Sequence, residues 1–182
     1  MENKCPYIEK GVKTGPPILF MAGFPDNEVS GWGDVIPTEL EKKHRCIYMC
    51  LPVYSKNRVV AHERAWGFDQ DEILDMMEAT IEATGLSSGK FVFIAHDWGA
   101  FYALLYQTRH PNALSKLILC DVGMLEPANV PIATMPYLVV YQMYFAVVYA
   151  ISQAISLYLG AILFRMPKYC MQFMVPTPHD TF

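Results

Sequence analysis

The 182-residue sequence predicts an α/β protein whose sheet is mostly parallel and flanked by helices. Three observations carry that expectation. Short apolar runs at residues 18–22, 45–51, 91–95 and 114–120 alternate with helix-like segments, the pattern of βαβ units. The runs are of strand length, and their continuous apolar character fits strands buried on both faces. Finally, Gly23-Phe24-Pro25, Asp97 and Asp121 fall at the ends of three runs, on the edge where open parallel sheets bind ligands.

Pro16-Pro17 introduces the first run, and Gly23-Phe24-Pro25-Asp26 turns the chain out of it. Residues 31–43 read as a weak helix with Trp32, Val35, Ile36 and Leu40 on its apolar side. The second run stops at Pro52, and residues 57–66 form a mostly polar loop. Residues 69–84 carry a strong helix signal. Asp69 can cap it, Glu72 completes a capping box, and Phe68 and Ile73 stand where a hydrophobic staple needs them. Ile73, Leu74, Met77 and Ile81 recur at helical spacing, acids crowd the first turn, and Gly85 ends the helix. The run at 91–95 leads through Ala95-His96-Asp97-Trp98-Gly99 into a helix that runs to Arg109 and is stopped by His110-Pro111. The last run ends at Asp121-Val122-Gly123. From Pro127 to Phe164 no residue is charged, and residues 165–182, with Pro167, Pro176 and Pro178, read as irregular. The chain therefore divides into an α/β core, 1–125, and a second region, 126–182.

A hydrophobic content of 53% in this length suffices for a buried core. Lys and Arg are scattered and the formal net charge is -4, which speaks against a nucleic-acid partner. Cys5, Cys46, Cys50, Cys120 and Cys170 form no CxxC motif and leave one unpaired, so they read as reduced core thiols. No Cys/His ligand pattern points to a metal, and no cofactor is expected. The N-terminus has no apolar signal core, and Met1-Glu2 excludes N-myristoylation. A cytoplasmic location is the expectation, with membrane association as the alternative.

Asp97 occupies a strand-to-helix turn with Ala95 and Gly99 two positions either side. That is how α/β enzymes present a nucleophile on a strained elbow. A carboxylate nucleophile attacks saturated carbon and leaves an ester. Water activated by a His, itself oriented by an acid, then hydrolyses it. Backbone N–H groups must meet the charge that develops on the ester oxygen. Trp98 follows the nucleophile and supplies one; Phe24, on the loop after an earlier strand, is placed for the other. From the residues alone, a helix N-cap is an equal reading of Asp97.

Gly23-Phe24-Pro25-Asp26 and His96-Asp97-Trp98-Gly99 together resemble the α/β-hydrolase superfamily, of the epoxide hydrolase and haloalkane dehalogenase type, across residues 12–125. The resemblance implies an α/β-hydrolase fold, Asp97 as nucleophile, Phe24 and Trp98 as oxyanion donors, and a small apolar organic substrate. It also implies a cap inserted after the strand that ends at Asp121, so that 126–182 is a partial helical cap. In the dehalogenase branch the residue matching Trp98 also binds halide through its indole N–H. In epoxide hydrolases cap tyrosines polarise the epoxide oxygen; Tyr141, Tyr144 and Tyr149 are the candidates, with plain packing as the alternative. Asp121 is either the acid that orients the catalytic His or a turn residue at the cap hinge, and the turn is favoured.

The sequence departs from the family pattern in three places. Ala22 stands where the family's loop begins with His, and Ala95 replaces the more usual Gly. The family's catalytic His lies after later core strands. Here His96 belongs to the elbow and is expected to pack or hydrogen-bond beneath the turn. His44, His62 and His110 fall in connections or helix ends, and His179 in the proline-rich tail. The chain is thus expected to be the N-terminal portion of a larger hydrolase, with an unpaired sheet edge. The alternative is a non-catalytic or membrane-associated α/β-hydrolase-like protein that lacks the His.

Residues 137–164 are long and apolar enough to span a membrane. Gln142, Tyr149, Gln153 and Ser156, joined by Ala146 and Gly160, fall on one face of a continuous helix. Lipid offers two glutamines no partner, so the stripe favours cap helices over a membrane span or interfacial segment.

Overall fold

The structure is a computed structural model that describes residues 4–24, 26–33, 35–55, 67–120 and 135–156, with 159, 160, 162 and 163. The chain forms two compact units, Met1–Met124 and Leu125–Phe182.

The first unit holds a five-stranded sheet of β1 (Tyr7–Gly11), β2 (Pro17–Met21), β3 (Arg45–Met49), β4 (Phe91–His96) and β5 (Leu114–Cys120), in the order β1-β3-β2-β4-β5. Strands β2 to β5 pair in parallel and coincide with the four apolar runs. β1 pairs antiparallel with β3 and has no counterpart in the sequence reading. Its side chains are mostly exposed, so Tyr-Ile-Glu-Lys-Gly carries no apolar run. Glu9 of β1 instead meets Arg45 of β3 twice, with Nε to Oε1 at 3.0 Å and Nη2 to Oε2 at 2.8 Å.

Strand alternation divides the core between the two sheet faces. One set (Leu19, Met21, Ile47, Met49, Phe93 and Ala95) packs with α2 (Gln70–Ala83) and α3 (Trp98–Arg109) through Leu74, Met77, Ile81, Ala100, Ala103 and Tyr106. The other set (Ile18, Phe20, Cys46 and Tyr48) packs with Trp32 and Leu40, and the Phe20 ring stacks on Tyr48 at 4.6 Å. Leu40 belongs to α1 (Val35–Glu41), which starts later than residue 31; a single 3-10 turn, Ser30–Trp32, with Gly33 after it, takes the place of the expected first helical turn.

The helix signal at 69–84 is realised in detail. Asp69 Oδ1 accepts from the Glu72 N–H at 2.8 Å, and Glu72 Oε2 accepts from the Asp69 N–H at 3.1 Å. Phe68 and Ile73 both pack against the same core cluster.

In the second unit, α4 runs Met135–Ala154. The stripe from Gln142 to Gly160 is not carried by one helix, since α4 ends at Ala154. The Ser156 N–H reaches back to Ile151 O at 3.1 Å, a wide closing turn, and Ser156 Oγ then accepts from the Leu159 N–H at 3.4 Å, as an N-cap does. Ser156 and Gly160 therefore lie outside the helix that carries Gln142, Ala146 and Tyr149. Among the described residues no helix is long and apolar enough to cross a membrane.

Candidate active site

Strand order locates a crevice before any side chain is considered. From β2 the chain crosses to β3 on one side, then returns to β4 on the other. Connections leaving β2 and β4 therefore diverge, and the space between them at the carboxyl edge is the switch point where open α/β sheets bind ligands. The register pairs Met21 with both Met49 and Ala95, so the residues after β2 and β4 emerge side by side. These residues are Gly23-Phe24 and Asp97.

Asp97 has φ 51° and ψ -130°, and it is the one non-glycine with positive φ among the described residues. Such a backbone costs of order 1–3 kcal/mol and persists only where its surroundings enforce it. They do so here by close approach. A β-carbon on Gly99 would strike the carbonyl of Met21 and lie 2.9 Å from its carbon, so α3 can press on β2 only with Gly at that position. A β-carbon on Gly23 would stand 2.5 Å from Trp98 N and 2.6 Å from Asp97 Oδ2. Both glycines are thus required by the elbow itself.

The Asp97 carboxylate is not spent on its helix. It occupies the N-cap position of α3 but makes no side-chain cap bond. Its Oδ2 instead accepts from the Phe24 N–H at 2.7 Å, across 73 residues of sequence. Trp98 N and Asp97 Oδ2 both line the space that a Gly23 β-carbon would fill. The Trp98 indole is half exposed at 49% and meets Phe101 edge-on at 5.7 Å.

The other sequence candidates are not gathered at this point. His44 precedes β3 and His110 precedes β5, so both lie at the amino edge of the parallel strands, opposite Asp97. His110 Nε2 is 3.1 Å from Glu78 Oε1. His96 stands next to the elbow with its ring 6.4 Å from that of Trp32. Asp121, His62, His179 and Cys170 lie outside the described residues. In the second unit Tyr141 and Tyr149 are exposed on α4, and the Tyr144 hydroxyl donates to Leu163 O. Cys5, Cys46 and Cys50 are buried, and burial pushes their thiols up, so they persist as protonated, inert thiols. Sequence reasoning missed Tyr54, whose ring meets Phe24 edge-on at 5.3 Å, and Glu28, a carboxylate only 3% exposed in a polar loop. No motif or periodicity flags either.

The α/β-hydrolase fold family model matches residues 16–165. Epoxide hydrolase 1 of Caenorhabditis elegans is 28% identical over 118 residues, covering 64% of this chain and 27% of the nematode protein. Epoxide hydrolase 4 of Mus musculus is 28% identical over 117 residues, covering 63% of this chain and 30% of the mouse protein. The chain thus spans less than a third of the length of these relatives. A crystal structure of an epoxide hydrolase from Vigna radiata superposes with a TM-score of 0.59 at 25% identity, covering 76% of this chain and 44% of the plant enzyme.

Proposed function

The chain belongs to the α/β-hydrolase fold family, and we propose that within it the chain is a hydrolase of the epoxide hydrolase type, with Asp97 as its nucleophile. The observation that carries this reading is the 2.7 Å bond from the Phe24 N–H to Asp97 Oδ2 on a strained, non-capping aspartate. The names of its sequence relatives support the substrate class.

With Oδ2 engaged by Phe24, Oδ1 is the attacking oxygen. It displaces a ring oxygen from an epoxide carbon, and the alkoxide takes a proton from an acid such as a tyrosine hydroxyl. The product is a hydroxyalkyl ester on Asp97. Water then adds to the ester carbonyl, and Oδ2 becomes the oxyanion, held by the Phe24 N–H with the Trp98 N–H as the second donor of this reading. Collapse releases a diol, and the proton given up by the water returns to the acid, so that both the carboxylate and the acid are restored. Tyr141, Tyr144 and Tyr149 are the candidates for that acid. None of His44, His96 and His110 is assigned as the base for the second step. Asp121, next in sequence after β5, is kept as a candidate for the acid that orients such a base.

Intact-mass spectrometry of the chain after incubation with an aryl epoxide, a terminal haloalkane and an aryl ester tests the proposal. An epoxide adduct adds the whole mass of the reagent; a haloalkane adduct adds that mass less the hydrogen halide. We expect the epoxide increment. A haloalkane adduct alone would move the chain to dehalogenase chemistry, and no adduct from any reagent would favour the non-catalytic reading.

A further inference from the structure

We infer that Glu28 is a positioning residue for the loop that carries Phe24, tying it to the segment after β3 through hydrogen bonds to Cys50 and Ser55. The inference rests on the reading that the Phe24 N–H meets the ester oxygen of Asp97.

The loop leaves β2 at Ala22 and ends in the 3-10 turn Ser30–Trp32. Part of it is braced from within. Asn27 Oδ1 accepts from the N–H groups of Val29 at 2.9 Å and Ser30 at 3.0 Å, and the Ser30 hydroxyl donates to Asp26 Oδ1 at 3.0 Å. These bonds shape the loop but do not attach it to the segment after β3. Glu28 does. Its Oε2 accepts from Cys50 Sγ at 3.2 Å and its Oε1 from the Ser55 hydroxyl at 3.3 Å, both in buried surroundings.

Cys50 follows β3 directly, and Ser55 follows the 3-10 turn Pro52–Tyr54. The same short segment presents Tyr54 to the Phe24 ring. Phe24 is thus attached to residues 50–55 twice, once through its own ring and once through Glu28 four residues on. A buried carboxylate is a costly way to fill space, and an apolar side chain would fill it without needing two donors. Both donors are supplied. The Cys50 thiol keeps its proton, since burial first, and then the bond to and charge of Glu28, push it up. Truncating Glu28 would leave the Cys50 and Ser55 donors without this acceptor and remove both bonds that tie residues 50–55 to the loop that aims Phe24 at Asp97.

Amide hydrogen exchange of Phe24, followed by NMR on the full chain, reads the aim of that N–H directly and needs no chemistry. The variants are Glu28→Ala, Ser55→Ala and the near-isosteric Glu28→Gln. Thr84→Ala serves as a remote destabilised control; it removes bonds from the Thr84 hydroxyl to Thr80 O and Ile81 O in α2. We expect Glu28→Ala to speed Phe24 exchange about tenfold or more, the scale of a lost hydrogen bond to a charged group. Ser55→Ala should give a smaller increase, while Glu28→Gln and Thr84→Ala stay near the wild type. Should Glu28→Ala fail to melt cooperatively, Ser55→Ala and Glu28→Gln carry the comparison.

The second readout is the rate of adduct formation with the aryl epoxide. Glu28→Ala should lower the saturating rate while the half-saturating concentration is unchanged, and Glu28→Gln should restore it. Unchanged Phe24 exchange in both Glu28→Ala and Ser55→Ala would overturn the inference. So would equal loss in Glu28→Gln and Glu28→Ala, or faster exchange with no change in adduct rate. Absence of any adduct on the wild-type chain would instead sink the functional reading, while the exchange data still decide whether Glu28 aims Phe24.

Discussion

Replacing Gly23 with alanine tests the elbow where it is tightest. The new β-carbon would lie 2.5 Å from Trp98 N, 2.6 Å from Asp97 Oδ2 and 2.7 Å from Asp97 Cβ, where ordinary contact begins at 3.4 Å. The Trp98 nitrogen is backbone and the Asp97 β-carbon is set by the backbone, so neither can swing aside. Loop and elbow must therefore separate by close to an ångström. The first cost is overpacking, about 1–3 kcal/mol. In a chain of this length each kcal/mol lowers Tm by about 2–4 °C. The second cost falls on the chemistry. The bond from Phe24 holds the Asp97 carboxylate in place, and without it Oδ1 is no longer aimed at the epoxide carbon. A displacement of this size in a positioned group is itself enough for about a 100-fold loss. A melt followed by circular dichroism and the time course of adduct mass give the two numbers separately. A Gly23→Ala chain that melts and reacts like the wild type would refute the close approach on which the site is built.

Asp69→Ala should cost about 1 kcal/mol through loss of the capping box, seen as a lower Tm, with the adduct rate unchanged because α2 carries no proposed site residue. Met77→Ala, fully buried beneath the sheet, should cost about 2–5 kcal/mol in denaturant unfolding. The Arg45 guanidinium, by hydrogen bond first and charge second, holds the Glu9 carboxyl below its ordinary range. A depressed folded pKa means the stabilisation is present above the unfolded value and is lost as pH falls through the folded one. The difference in stability between wild type and Glu9→Gln, under about 1 kcal/mol because the pair is partly exposed, should therefore shrink on acidification below the carboxylate range; growth of the gap would contradict the assignment.

Much of this was legible in the sequence because local and tertiary preferences agree. β2, β3 and β4 are apolar on both faces, so they stand out as runs whatever their neighbours; β5, expected to be covered on both faces, carries Ser115 and Lys116 and has no buried residue, because it is the edge strand of the sheet. The second helix announces itself through Asp69 and Glu72, residues whose effect is local. β1 was not legible because an edge strand is specified by its partner: Glu9 earns its place only through Arg45, its diagonal neighbour on β3. The early start expected for α1 failed where Gly31 and Gly33 interrupt the turn, and the apolar pattern of residues 137–164 hid the role of Ser156 as a local cap. In the site, the small residues around Asp97 were readable as an elbow. What could not be read from them alone was whether the carboxylate caps α3 or turns away, since that depends on a bond to a residue 73 positions distant. Glu28 was invisible for a related reason. A glutamate in a polar loop looks solvated until the fold brings Cys50 and Ser55 to it.

The central claim is that Asp97 forms the ester, and peptide mapping of the epoxide-treated chain tests it most directly. Digestion and tandem mass spectrometry should place the whole reagent mass on the peptide containing Asp97, with the fragment series breaking at that residue. The Asp97→Asn chain, which keeps the shape but not the nucleophile, should carry no adduct under the same conditions. An adduct on any other carboxylate, or an equal adduct on Asp97→Asn, would contradict the account.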